Sequence, residues 1–364
     1  MASRIPVAVV GATGLAGQQF LASLAGHPML EVKKLAASSR SAGKKLSAAL
    51  RDEKGASRWM CSEPLDPQIG EITVEDSANM TSDGIKLVFS AVEADVAKEL
   101  EPRFAKDIAV ISTASAYRYE NDVPVFLPGV NWDHAALIDI QRKNRGWKGF
   151  ISPGPNCTTV GLAMTLRPLD VAFGVGKVIM TSMQALSGAG RSPGVSAMDI
   201  LDNIIPYIPK EEEKVEKETL KILGKIGPNG GANGITPADM KVSCTCTRVN
   251  VLEGHTESVF VELKRKASLD QVKTVWRELG SDLQALGLPS APKQLVSYTE
   301  DPFRPQVRLD RDAEGGMSTV VGRLREDTVL GGVKYMLVSH NTRMGAAKGA
   351  ILVAEYLTKK GYVG

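Results

Sequence analysis

The sequence predicts an α/β protein in two parts: a doubly wound parallel sheet at the N-terminus, then an α+β part whose sheet is mostly antiparallel. Three observations carry this. Up to Pro153, short apolar runs alternate with helix-period segments, the pattern of parallel strands covered on both faces. After Pro153-Gly154-Pro155 the runs lengthen and alternate apolar with polar residues, as one-sided strands do. The length, 364 residues, suits about two domains.

The first element is Ile5-Pro6-Val7-Ala8-Val9-Val10, a strand buried on both faces. It meets Gly11-Ala12-Thr13-Gly14-Leu15-Ala16-Gly17, followed by the helical spacing Phe20, Leu21, Leu24 and a second strand over Glu31–Ala37. Strand, glycine turn, helix, strand is a Rossmann-like βαβ unit. Further strands are expected at Ile85–Ala91 and Ile108–Thr113, and Ser41–Asp76 reads as a long excursion rich in Gly, Pro and Ser. In the second part, Lys177–Ala185, Lys241–Asn250 and Thr256–Lys264 read as strands, the last two joined by a short turn at Gly254, with another at Tyr335–Val338. The closing segment, Gly345–Lys360, is an amphipathic helix whose alanine face suits a return to the first part. The expected division is therefore 1–156 plus 344–364 as one domain and 157–343 as a second.

Composition narrows the function. Apolar residues at 43% and charged residues at 23% leave ample material for a core and exclude a disordered, collagenous or coiled-coil chain. Lys and Arg number 44 against 41 Asp and Glu, interleaved, so no basic face points to nucleic acid. No apolar stretch approaches the ~18 residues of a membrane span, and Ile5–Val10 is too short for a signal segment. Four cysteines without a paired motif suit a reduced, cytoplasmic protein with no metal site.

The glycine turn follows a buried strand and opens a helix, where glycines let the backbone approach a pyrophosphate and the free N–H groups receive it. Gly11, Thr13, Gly14, Leu15 and Ala16 are the expected cofactor contacts. At the end of the second strand an NAD site would carry Asp or Glu; here it carries Ser38-Ser39-Arg40, hydroxyls and a guanidinium that suit a 2′-phosphate, so the cofactor expected is NADP.

Asn156-Cys157-Thr158-Thr159 places a cysteine at the start of an apolar helix, where the dipole would favour the thiolate; a buried structural cysteine is the equal alternative. Cys244 and Cys246, two apart on a strand, read as core. A Cys–His pair would need His255 or His340, between which the residues alone do not choose; His27 reads as a helix-end cap and His134 as lying on a surface helix. Gln184–Gly190 ends a strand in a small-residue loop, Arg118 follows a parallel strand, and Lys210–Glu218 is a charge run with the look of a solvated helix face.

Taken together, these motifs resemble the aspartate-semialdehyde dehydrogenases, most closely their fungal and archaeal branch. The likeness runs through Gly11–Gly14, Ser39-Arg40, Asn156–Thr159, Gln184–Gly190, Glu211 with Lys214, Arg248 with His255, and the Asn341 segment, in the family's order. The resemblance implies an NADPH-dependent reductive dephosphorylation of aspartyl 4-phosphate to aspartate 4-semialdehyde, a step toward lysine, methionine and threonine. It implies Cys157 as the nucleophile that forms a thioester, His255 as acid/base and Gln184 orienting the acyl group. Arg248 would hold the α-carboxylate, Glu211 the α-ammonium, and Lys214 and Arg118 the phosphate beside Asn156. Ser187, Gly188 and Asn341 would meet the nicotinamide end. A homodimer or homotetramer is implied, with no nucleic-acid or membrane partner. The alternatives are N-acetylglutamyl-phosphate reductase, whose substrate has no free ammonium for Glu211, and a non-catalytic NADP-binding regulator, which would need no Cys157–His255 pair.

Overall fold

The computed structural model describes residues 4–190 and 194–364; Met1–Ser3, with which the expected first domain begins, lie outside it. Six parallel strands, β1 (Ile5–Val10), β2 (Leu30–Ala37), β3 (Val74–Asp76), β4 (Leu87–Ser90), β5 (Ala109–Ser112) and β6 (Phe150–Pro153), form one sheet in the order β3-β2-β1-β4-β5-β6. That order is the doubly wound arrangement, whose ligand crevice lies at the carboxyl ends beside β1. Helix α1 (Leu15–Leu24) covers one face, and α2 (Ala94–Ala105) the other, through Leu100 and Phe104 packed against Ala8, Val10 and Val88. Helix α3 (Ala136–Arg145) leads into β6.

The second sheet contains β7 (Val175–Gln184), β10 (Lys241–Arg248), β11 (His255–Leu263), β12 (Val296–Thr299), β13 (Thr319–Asp327) and β14 (Gly332–Ser339), in the order β10-β7-β11-β14-β13-β12; β8 (Lys225–Ile226) and β9 (Ile235–Thr236) pair separately. Three of its five pairings are antiparallel, so it is mixed. The two exceptions are β10 with β7 and β12 with β13. The turn at Gly254 does not make a hairpin: β10 and β11 flank β7 on opposite sides. Alternation along a strand records which face is covered, not which strand lies beside it. One face is covered by α4 (Cys157–Phe173), α5 (Glu211–Ile222) and α6 (Leu269–Glu278). On the other face the side chains of Lys177 and Ile179 in β7 are exposed.

The closing helix, α7 (Ala347–Lys359), packs against α1, so the chain does end on the first part. It is pinned there by Glu355, which is fully buried and accepts from His27 Nε2 at 2.9 Å and from the Ser290 amide. His27 Nδ1 in turn accepts from the amides of Met29 and Leu30, so this histidine caps the entry to β2. His134 is not on the surface: it is fully buried, against Asn131 and the Gly224 carbonyl, because its helical turn faces the loop after α5. Glu355→Ala leaves a buried ring nitrogen and a buried amide without partners. It is expected to lower unfolding free energy by about 3 kcal/mol, read as a shifted denaturant midpoint at unchanged slope.

Candidate active site

The site is built outward from the residue before the cysteine. Asn156 caps α4: its Oδ1 accepts from the amides of Thr158 at 2.9 Å and Thr159 at 3.3 Å. Helix α5 holds the same residue from the side. Glu211 accepts from Asn156 Nδ2 at 2.8 Å, and Glu218 accepts from the Asn156 backbone amide at 2.6 Å. Glu211 and Glu218 are two turns apart and share the buried face of α5 with Val215 and Ile222. The charge run is thus not uniformly solvated. Glu218, only 1% exposed, also pairs with Arg118 at 3.0 Å. This residue was not singled out from sequence, although its spacing of seven from Glu211 with Val215 between them is the signal that would have found it.

Cys157 is the first residue of α4 and lines the cavity. Its Sγ lies 3.2 Å from His255 Nε2. His255 opens β11 just after Gly254, whose φ of +94° turns the chain inward. His340 is elsewhere, with Nε2 3.6 Å from Asp312 and 3.8 Å from Glu253, so the choice left open by sequence falls on His255. The strand ends Arg248, Gln184, His255 and Ser339 stand side by side, because Arg248 registers with Gln184 and His255 with Ser339. Arg248 lines the cavity and donates from Nη1 to the Ala185 carbonyl at 2.7 Å. Gln184 is buried with its amide on Ser182 Oγ at 3.2 Å, behind the cavity wall rather than on it. Gly188 lies against both functional groups: a Cβ there would come within 3.1 Å of Arg248 Nη1 and 3.4 Å of the imidazole. Asn341 joins the loops, donating to Ser187 Oγ and accepting from the Gly254 amide, each at 2.8 Å.

Burial opposes the pull of the helix end on Cys157. Burial, then the nearby Glu211 carboxylate, pushes the thiol up to about 12, against the pull of Arg248 and Arg118. The same burial, with Arg248 and His340 adding to it, lowers His255 to about 3. Burial therefore works against charge on both members of the pair.

The cavity encloses about 790 Å³ between the two sheets; Lys214, Glu211 and Arg118 line it near the sulfur. Lys214 is half-buried and pairs with Glu211 at 3.5 Å. A trough continues from it, sharing Leu15, Ala16, Ala91, Glu93, Ala189 and Gly190. Here the glycine turn shows its purpose. Gly11 has φ +83°, and a Cβ there would meet the Ala91 carbonyl oxygen at 2.3 Å; a Cβ on Gly17 would meet Gly11 O at 2.1 Å. No side chain caps α1, so its first amides are free to receive an anion. Thr13, Gly14, Ser38 and Arg40 line the trough, whereas Ser39 is exposed beside it. The excursion adds Lys44, Arg51, Lys54 and Arg58, which its weak periodicity concealed. Gln18 ties it down, donating to the Thr13 and Arg58 carbonyls and accepting from the Met60 amide. Among the described residues no cluster of ligating side chains is arranged for a metal, and Cys244 and Cys246 are buried in the core.

A Rossmann-like half facing a Cys–His pair on a second sheet defines a class, and two family models agree with it: semialdehyde dehydrogenase, NAD binding domain, over residues 6–138, and semialdehyde dehydrogenase, dimerisation domain, over residues 166–344. The chain is 46% identical over 361 residues to the aspartate-semialdehyde dehydrogenase of Archaeoglobus fulgidus, covering 98% of this chain and 99% of that one. It is 41% identical to that of Saccharomyces cerevisiae over 373 residues, 100% of both. The crystal structure of the Candida albicans enzyme with NADP matches with a TM-score of 0.86 at 40% identity, over 99% of this chain and 100% of that one. The chain belongs to the aspartate-semialdehyde dehydrogenase family.

Because the thiol is held high, alkylation of Cys157 by iodoacetamide is expected to rise about tenfold per pH unit from about pH 7 to about pH 10 without a plateau. Peptide mass spectrometry reads the modified residue; a plateau below about pH 8 would mean that a thiolate already exists.

Proposed function

We propose that the protein reduces aspartyl 4-phosphate to aspartate 4-semialdehyde with NADPH, releasing phosphate, on the route to lysine, methionine and threonine. The observation that carries this is the 3.2 Å contact between Cys157 Sγ and His255 Nε2, at the helix start that faces the glycine turn across one cavity. An acyl phosphate is activated, but hydride does not displace phosphate cleanly. Exchange of phosphate for the Cys157 sulfur splits the reaction into two easier steps. NADPH held by the glycine turn and the trough would supply the hydride that the thioester carbon accepts.

The residues fit the remainder of the substrate. Arg248 presents a guanidinium that suits the α-carboxylate, and Glu211 a carboxylate that suits the α-ammonium. Arg118, held by Glu218 and by the Thr113 carbonyl, and Lys214 offer cations to the phosphate. Gln184 supports the acyl-binding loop from behind. Gly11, Thr13, Gly14, Leu15 and Ala16 would carry the pyrophosphate, Ser38 and Arg40 the 2′-phosphate, and Ser187, Gly188 and Asn341 the nicotinamide end.

Residues 1–156 with 344–364 serve as the nucleotide-binding domain and 157–343 as the catalytic and dimerisation domain. The outer face of β7, where Ile179 is 48% exposed, suits a sheet-to-sheet homodimer or a homotetramer built on it. The free cysteines, and the lack among the described residues of a helix able to cross a membrane, support a cytoplasmic setting.

The test runs in reverse. Semialdehyde, phosphate and NADP should give NADPH absorbance only when phosphate is present. Cys157→Ser should lower turnover at least about 10³-fold while NADP binding stays within about twofold; retained turnover would remove the nucleophile. Arg40→Ala should raise KM for NADP about 10- to 100-fold and leave that for NAD unchanged, as loss of a charge-assisted contact to the 2′-phosphate requires.

A further inference from the structure

We propose that Lys221 is a positioning residue for the phosphate: from α5 it clamps the backbone of the segment that carries Arg118, and this clamp sets where the Arg118 guanidinium stands in the cavity. The inference rests on the reading of Arg118 as a phosphate cation given above.

The charge run holds the first clue. Glu-x-x-Lys occurs in it twice, as Glu211 with Lys214 and as Glu218 with Lys221, seven residues apart. Two helical turns separate the pairs, so both lie along one stripe of α5. Glu211 and Lys214 line the cavity. Glu218 and Lys221 stand behind its wall, against the Arg118 segment.

That segment needs an outside hold. Arg118 belongs to the loop after β5, and residues 115–119 are turns with no helix or strand of their own. From Asp122 onward the chain is fixed to α3, through Arg145 on the Asp122 carboxylate at 2.8 Å and Gln141 on the Asp122 carbonyl at 3.2 Å. Upstream, Ser112 Oγ accepts from the Ala114 amide at 2.9 Å. Between these anchors the grip comes from the second part of the molecule. Lys221 Nζ donates to the Arg118 carbonyl at 2.8 Å and to the Glu120 carbonyl at 2.7 Å. Glu218, one turn earlier, accepts from Arg118 Nη1 at 3.0 Å and from the Tyr119 hydroxyl at 3.3 Å. One helix therefore holds Arg118 at both ends, by its backbone and by its guanidinium.

The bonding of Lys221 suits a clamp. Among the described residues it makes no ion pair, so its ammonium is spent on two neutral carbonyls, bonds that its charge strengthens. Burial pulls it down to about 8, with Asp122, Glu120 and Glu218 working the other way, so it still donates as a cation at about pH 7. Arg118 lines the cavity, and Glu218 and the Thr113 carbonyl use only part of its guanidinium donors. With the carbonyls at 118 and 120 released, the guanidinium would keep its charge and lose its fixed origin. A bound phosphate would then have to order the segment itself, which weakens binding.

Steady-state kinetics in the reverse direction, with semialdehyde, inorganic phosphate and NADP, separate the substrates. Lys221→Met keeps the apolar stem and removes the donor. It should raise KM for phosphate about 10- to 100-fold, while KM for semialdehyde and for NADP stays within about twofold. Lys221→Arg, which restores a charged donor, should bring the phosphate KM back to within about threefold of the parent. In an Arg118→Ala background, Lys221→Met should change the phosphate KM by less than about twofold, since no guanidinium is left to position. Equal rises for all three substrates, no rescue by arginine, or a full rise in the Arg118→Ala background overturns the proposal. Should the methionine variant lose NADP binding, Lys221→Gln, polar but too short to reach both carbonyls, is read the same way. The two readings fail separately. An unchanged phosphate KM in Arg118→Ala takes Arg118 off the phosphate and this proposal with it. A raised phosphate KM there, with an unchanged one in Lys221→Met, overturns the clamp alone.

Discussion

The position of the reactive sulfur depends on four hydrogen bonds at Asn156. Two run forward to the Thr158 and Thr159 amides and start α4; two run sideways to Glu211 and Glu218 and fix where that start sits relative to α5. The helix cannot begin one residue earlier or later without exposing a buried amide, which costs about 1–3 kcal/mol for each group left unpaired. Cys157 is therefore held by its neighbour's bonding rather than by its own. The same two carboxylates order the cavity: Glu218 orients Arg118 and Glu211 sits against Lys214. Positioning of Cys157 and orientation of the cations are one network.

Burial sets the chemistry of that network. A thiolate–imidazolium pair in this setting would need two ions in a site that already holds Arg118, Arg248, Glu211 and Glu218. Desolvation pushes the thiol up and the imidazole down, against both ions.

Much of this architecture is legible in residue order. The buried strand, glycine turn and helix of the N-terminal unit are signalled by apolar runs and Gly11, Gly14 and Gly17, because parallel strands and phosphate turns impose strict local demands. Cys157 and the alternating strands of the second sheet are legible for the same reason. Strand neighbours are not: β10 and β11 are consecutive and each has one covered face, yet β7 lies between them. Glu218 was hidden inside a charge run, since composition masks a seven-residue spacing. The cations of the excursion were hidden because Gln18, on another element, decides where that segment lies. The effect of burial on Cys157 escaped a local reading because a helix dipole is a local term and desolvation is not.

The two halves are also connected through the C-terminal segment of the chain. Asn341 bonds Ser187 on one side and the Gly254 amide on the other, one residue from His255. Two residues further on, Arg343 pairs with Glu63 of the excursion at 2.8 Å, and three residues before Glu63 the Met60 amide donates to Gln18 beside the glycine turn. Helix α7 then carries the chain back onto α1. A path of direct bonds therefore runs from the glycine turn to the imidazole without passing through the cavity. At the far end of that path the imidazole is engaged on both nitrogens, Nδ1 by the Ala185 amide and Nε2 by the sulfur, so the ring is held by the second sheet and by the start of α4 at once.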